Sequence, residues 1–136
     1  MASEQIILQN QTEELTRLAE WVKSLPDKLE ISETCLFRLD LILTEAVTNI
    51  ISYGYPQGGE HSIEIKVDQE DHSLSVKICD DGLPFNPLDH PAQPTPCDLA
   101  EAPVGGLGIL LIRSFSTDCF YQRDDSKNVL TVTVQN

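Results

Sequence analysis

The spacing of apolar residues changes repeatedly along this chain, and each change marks an element. Ile6-Ile7-Leu8 is a short apolar run between polar residues and predicts an edge strand. Thr12 is then placed to cap a helix, with Glu13 and Glu14 in its first turn at the positive end of the helix dipole. Leu15, Leu18, Ala19, Val22 and Leu25 keep helical spacing until Pro26 stops the run. A second helix is expected from Ser32 to about Tyr53, ended by Gly54 and Pro56. Leu36, Phe37, Leu39, Leu41, Ile42, Leu43, Ala46, Val47, Ile50 and Ile51 cover most of its circumference, as in a largely buried helix.

Beyond Gly58-Gly59 the period becomes two. Ile63, Ile65 and Val67 alternate with polar residues, as do Leu74, Val76 and Ile78 after a turn at Asp71-His72, which reads as a β-hairpin. The segment Leu83 to Val104 carries six prolines and predicts a long lid or binding loop. Gly105-Gly106-Leu107-Gly108 then opens an apolar helix from Ile109 to about Phe115. Strand-like runs at Cys119–Arg123 and Val129–Val134 flank a polar turn, Asp124-Asp125-Ser126-Lys127. The order predicts an α+β two-layer sandwich. The length, 136 residues, suits one domain over 1–136.

The formal net charge is −13, nine Lys and Arg against 22 Asp and Glu, which repels nucleic acid phosphates and anionic lipid surfaces. Direct nucleic-acid and membrane binding are therefore not expected. Met1-Ala2-Ser3-Glu4-Gln5 has no basic region leading into an apolar core, and no stretch approaches the roughly 18 apolar residues of a membrane span. Cys35, Cys79, Cys97 and Cys119 form no CxxC pair, which fits a reducing compartment. A cytoplasmic protein is expected.

Three constellations carry chemistry. Glu45 and Asn49 lie four apart on the buried helix and so share a face. A carboxamide oxygen there suits Mg²⁺ and a carboxylate can act as a general base, although two side chains bonded within a core would look the same. Asp80-Asp81-Gly82-Leu83-Pro84 follows a strand, where a carboxylate can accept from an exocyclic amine and a glycine admits close backbone approach; an ordinary Asp-Gly turn is the alternative. Gly105, Gly106, Leu107 and Gly108 at a helix start expose N–H groups suited to an anion, or form a plain loop.

In order and spacing these motifs resemble the GHKL (Bergerat-fold) ATPases, and within them the anti-sigma factor serine kinases. "TEAVTNIISYGY", "DDGLPFNP" and "GGLGILLIR" carry the likeness, which extends over nearly the whole chain. The resemblance implies a Bergerat sandwich, with helices on one face of a mixed, mostly antiparallel sheet. It further implies ATP and Mg²⁺ as ligands, Asn49 on the metal and Asp80 on the adenine amine. Gly82, Pro84, Gly105, Gly106, Leu107 and Gly108 would shape the nucleotide pocket, with Thr131 of the last strand beside the adenine. Glu45 would take the proton from a serine or threonine of a small antagonist protein, and the same domain would sequester a sigma factor. Homodimers are common in such a family.

One departure affects mechanism. Between Lys77 and Arg113 there is no Lys or Arg, whereas kinases of this family usually bring a basic lid residue to the terminal phosphates. Arg113 could turn inward, a partner could supply the arginine, or the domain could act as a nucleotide-dependent binding module. A histidine-kinase catalytic domain and a plain structural domain with no ligand are the remaining readings. His61, His72 and His90 fall in turn or loop contexts, which points to solvated rather than catalytic roles.

Overall fold

The computed structural model describes residues 2–84 and 112–136. Five strands make one sheet in the order β1-β2-β3-β5-β4. They are β1 (Ser3–Gln9), β2 (Ser62–Gln69), β3 (Ser73–Asp80), β4 (Asp118–Asp124) and β5 (Lys127–Gln135). All the pairings among the described residues are antiparallel, where the resemblance implied a mixed, mostly antiparallel sheet. The tight turns between β2 and β3 and between β4 and β5 allow no other arrangement for those pairs. Asp125 and Ser126 both adopt positive φ (47° and 66°), the conformation a two-residue hairpin turn requires.

Two helices cover one face, α1 (Glu14–Ser24) and α2 (Glu33–Tyr53). The Ser32 hydroxyl oxygen accepts from the Cys35 N–H at 3.1 Å, so α2 starts at its expected cap. Thr12 does not cap α1. It lies within a tighter first turn, where the N–H groups of Glu14, Leu15 and Thr16 bond three residues back. The Glu14 carboxylate instead accepts from Gln9 N–H at 2.9 Å and from Arg17 at 3.1 Å, joining β1 to α1. Pro26 ends the run as expected, in a short 3₁₀ turn at Leu25–Asp27.

The sheet sorts its side chains by parity. Ile63, Ile65 and Val67 of β2, Leu74, Val76 and Ile78 of β3, and Leu130, Val132 and Val134 of β5 are buried on the helix side. Leu39, Ile42, Leu43 and Val47 of α2 and Leu18 and Val22 of α1 meet them. Each fully buried aliphatic side chain contributes on the order of 1.5–3 kcal/mol, which explains why the α2 apolar band is so wide. At one end these apolar rows run out. The next core-facing residue on β3 is Asp80, and on β5 it is Asn128; both remain buried. A polar pair in core register marks the place where chemistry replaces packing.

Candidate active site

The end of α2, the end of β3 and the β4–β5 hairpin meet around Asp80. It closes β3 directly opposite Asn128 of β5, which in turn sits opposite Arg123 of β4. Asp80 Oδ1 accepts from the Gly82 N–H and from Asn128 Nδ2, each at 2.9 Å. The described residues give Oδ2 no hydrogen-bond partner. Burial is the main influence on the Asp80 carboxyl and raises its pKa, an effect that Asp81 reinforces and that the two N–H donors and Arg123 oppose.

Asp80 borders a narrow cleft of about 30 Å³, lined otherwise by Ala46, Asn49, Ile50, Ile78, Ile112, Tyr121, Asn128 and Leu130. Apolar walls with a few convergent polar groups are the usual make-up of a small-molecule site. Asn49 is only 5% exposed, and its Nδ2 has no partner among the described residues. An orphaned amide facing such a cleft is costly to keep unless something binds there.

The turn after Asp80 is fixed from two sides. Gly82 packs on the end of α2 so closely that a Cβ there would lie 2.7 Å from Gly54 O and 2.9 Å from Asp80 Oδ1. Leu83 N–H also donates to Gly54 O at 2.9 Å. The glycine is thus required by the protein's own backbone, where the sequence reading assigned it to ligand approach. Tyr55, just past α2, donates to Asp81 Oδ1 at 2.9 Å and stacks on His61, with centroids 4.4 Å apart. His61 also lies 3.2 Å from the Asp81 carboxylate and is half-buried, so it is not a simple solvated turn residue. Burial alone would raise Asp81, but the Tyr55 and His61 hydrogen bonds outweigh it and hold its carboxyl below the ordinary value. Burial, together with the hydrogen bond to Asp81 and the nearby carboxylates, pushes the Tyr55 phenol upward.

Of the predicted site residues, Asn49, Asp80 and Gly82 come together, with exposed Pro84 leading away from them. Glu45 lies one turn before Asn49, half-buried, and does not border the cleft. Thr131 is not with them. It stands opposite Lys77 and Phe120, on the sheet face away from α2, because an odd offset from Asn128 reverses the side-chain direction. The residue that meets Asp80 from the last strand is Asn128, which the sequence reading passed over. Gly105, Gly106, Leu107 and Gly108, and the lid beyond Pro84, lie outside the described residues. Arg113 is exposed, in a surface recess with Ser116, Thr117, Asp118 and Cys119 rather than at the cleft.

A sheet backed by helices on one face, with a buried carboxylate at a strand end and an apolar cleft beneath it, defines an α+β two-layer domain with a candidate ligand site. The chain belongs to the histidine kinase-like ATPase domain family, which it matches over residues 8–134. Membership implies ATP binding. The chain is 31% identical over 113 residues to the serine/threonine-protein kinase BtrW of Bordetella bronchiseptica, covering 83% of this chain and 80% of that protein. It is 32% identical over 83 residues to the anti-sigma F factor of Bacillus subtilis, covering 61% of this chain and 57% of that protein. Among solved structures, the histidine kinase domain of the Erythrobacter litoralis EL346 blue-light activated histidine kinase superposes with a TM-score of 0.57 at 16% identity. That match covers 89% of this chain and 58% of the other, and shows the fold.

Proposed function

We propose that the chain is an ATP-dependent serine/threonine protein kinase of the anti-sigma factor type. In this reading it phosphorylates a small antagonist protein and sequesters a sigma factor in the cytoplasm. The observation that carries the proposal is the arrangement at the cleft: Asp80 offers a free carboxylate oxygen above apolar walls, with Asn49 buried alongside. A flat heteroaromatic base with an exocyclic amine would satisfy the carboxylate and rest against the apolar walls. The similarity to a serine/threonine-protein kinase and to an anti-sigma F factor supports the substrate class and the partners.

Mg²⁺ takes hard oxygen ligands, which in a nucleotide site come mostly from phosphates and water. Asn49 would contribute one hard oxygen, and the ion would neutralise charge on the phosphates. Glu45, on the same helix flank, would accept the proton of the substrate hydroxyl as its oxygen bonds to the γ-phosphorus and ADP departs.

The test combines binding and transfer. Nucleotide at 100 times its dissociation constant adds about 2.7 kcal/mol to stability, a rise of several degrees in melting midpoint at this size. The wild type should show that rise with MgATP, and Asn49→Ala should not. Phosphate transfer to an antagonist protein should vanish in Glu45→Ala while ATP still binds. No thermal shift with either MgATP or MgADP would overturn the nucleotide reading. Binding without any transfer would leave a nucleotide-dependent binding module.

A further inference from the structure

Phe37 is the most exposed large apolar side chain among the described residues, at 62%. Its place on α2 links it to the cleft. Phe37, Leu41, Glu45 and Asn49 follow one another at intervals of four and so form a single ridge on the helix surface. The ridge descends from solvent to site: Phe37 is exposed, Leu41 and Glu45 are half-buried, and Asn49 is buried at the cleft. Leu41 is apolar, yet among the described residues it stands outside the core that gathers Leu36, Ile50 and Ile51 of the same helix.

Phe115 supports the outer end of the ridge. Its ring meets Phe37 edge-on, with centroids 6.5 Å apart and planes at 63°, while it packs against the core itself. A single exposed phenylalanine needs no explanation, but one joined to Phe115 and followed by Leu41 makes a continuous apolar strip. Aromatic side chains already held in place lose little freedom when covered, which suits them to interfaces. The charged neighbours on α2 are Glu33 and Asp40, one turn to either side of Phe37, and Arg38 on the next flank. Their balance is acidic, as is the chain at −13, so a second copy of this chain would meet like charge here. A partner with a basic rim would not. The eight residues from Phe37 to Glu45 span about 12 Å of helix, so one partner touching both must present a folded surface.

We propose that Phe37, with Leu41 and Phe115, is the docking surface for the protein that is phosphorylated. That partner carries an apolar socket edged by basic residues, set about 12 Å from its acceptor hydroxyl. The inference rests on the kinase reading above. Recognition of the partner belongs to the outer end of the ridge, and proton transfer at Glu45 to the inner end.

The test follows phosphate transfer from ATP to the cognate antagonist protein by the wild type and by Phe37→Ala. Because Phe37 is exposed, its truncation should leave the melting midpoint unchanged. Phe37→Ala should raise the KM for the antagonist at least about tenfold, as truncation of an interface anchor does, with kcat and the Kd for MgATP as in the wild type. Phe37→Trp, which keeps an aromatic ring, should hold the KM near the wild-type value. An unchanged KM in Phe37→Ala, alongside normal transfer, overturns this inference alone. A lower kcat at constant KM also overturns it, since Phe37 would then act by supporting Glu45. Sedimentation that finds a dimeric wild type and a monomeric Phe37→Ala assigns the strip to a second copy and overturns it too. Wild-type protein that binds MgATP but transfers no phosphate overturns the kinase reading and the docking surface with it.

Discussion

Replacing Asp80 with asparagine separates a ligand-binding carboxylate from one that merely shapes a turn. The two side chains have the same shape, and the geometry dictates how the new one sits. Oδ1 accepts from Gly82 N–H and Asn128 Nδ2, each at 2.9 Å, and an amide oxygen can keep both bonds. The amide nitrogen must then take the place of Oδ2. A charged acceptor facing the cleft becomes a donor, and against a base amine that costs about 1.5–3 kcal/mol, or about 10- to 100-fold in ATP affinity.

Stability should move the other way or not at all. Asp80 is 6% exposed, and burial is the principal influence on its carboxyl, disfavouring the charged form. A neutral amide escapes that penalty. What it loses is attraction to Arg123, an exposed residue whose ion-pair contribution is small. Calorimetric titration with MgATP and melting of the nucleotide-free protein measure the two effects separately. Asp80→Asn should bind ATP at least about tenfold more weakly with an unchanged or higher midpoint. A midpoint lowered by more than about 3 °C, with ATP affinity intact, would make Asp80 a structural turn residue and refute the reasoning.

Gly82→Ala places a methyl group against Gly54 O and Asp80 Oδ1, so it should cost about 1–3 kcal/mol of stability and weaken ATP binding together, read by melting and titration. Acidification should act on Asp80 with opposite signs: its folded pKa is raised above 3.8, so protonation favours the folded state as pH falls, while the acceptor for the base is lost. ATP affinity should therefore begin to decline at a pH above 3.8, and a decline confined to pH below 3.8 would contradict the upward direction. Arg113→Ala should leave phosphate transfer unchanged, since Arg113 opens onto a surface recess away from the cleft; a slowed rate would make it the missing cation. With no Lys or Arg between Lys77 and Arg113, transfer by the chain and its antagonist should instead depend on an arginine of the partner, which substitution of the partner's arginines would reveal.

The elements were legible in the chain because their signals are local. The Ser32 cap, the wide apolar band ending at Gly54, the alternation of Ile63, Ile65 and Val67, and the polar turn at Asp124–Lys127 all need only neighbours a few residues away. The same holds for Asn49 and Asp80, which announce themselves as polar residues inside an apolar helix and at an apolar strand's end. What the chain alone left open is which distant residues face them. Asn128 meets Asp80 across 48 positions of sequence, and a single-residue change in register would turn it to the opposite face. That register depends on the Asp125-Ser126 turn and on β5 lying between β3 and β4, and it turns Thr131 away and brings Asn128 in. Gly82 shows the same division: its motif was readable, but the backbone it must clear, Gly54, is brought to it only by packing α2 across the sheet. Short-range periodicity determined the elements and two of the polar groups in the cleft, while long-range strand pairing decided how Asp80 is held.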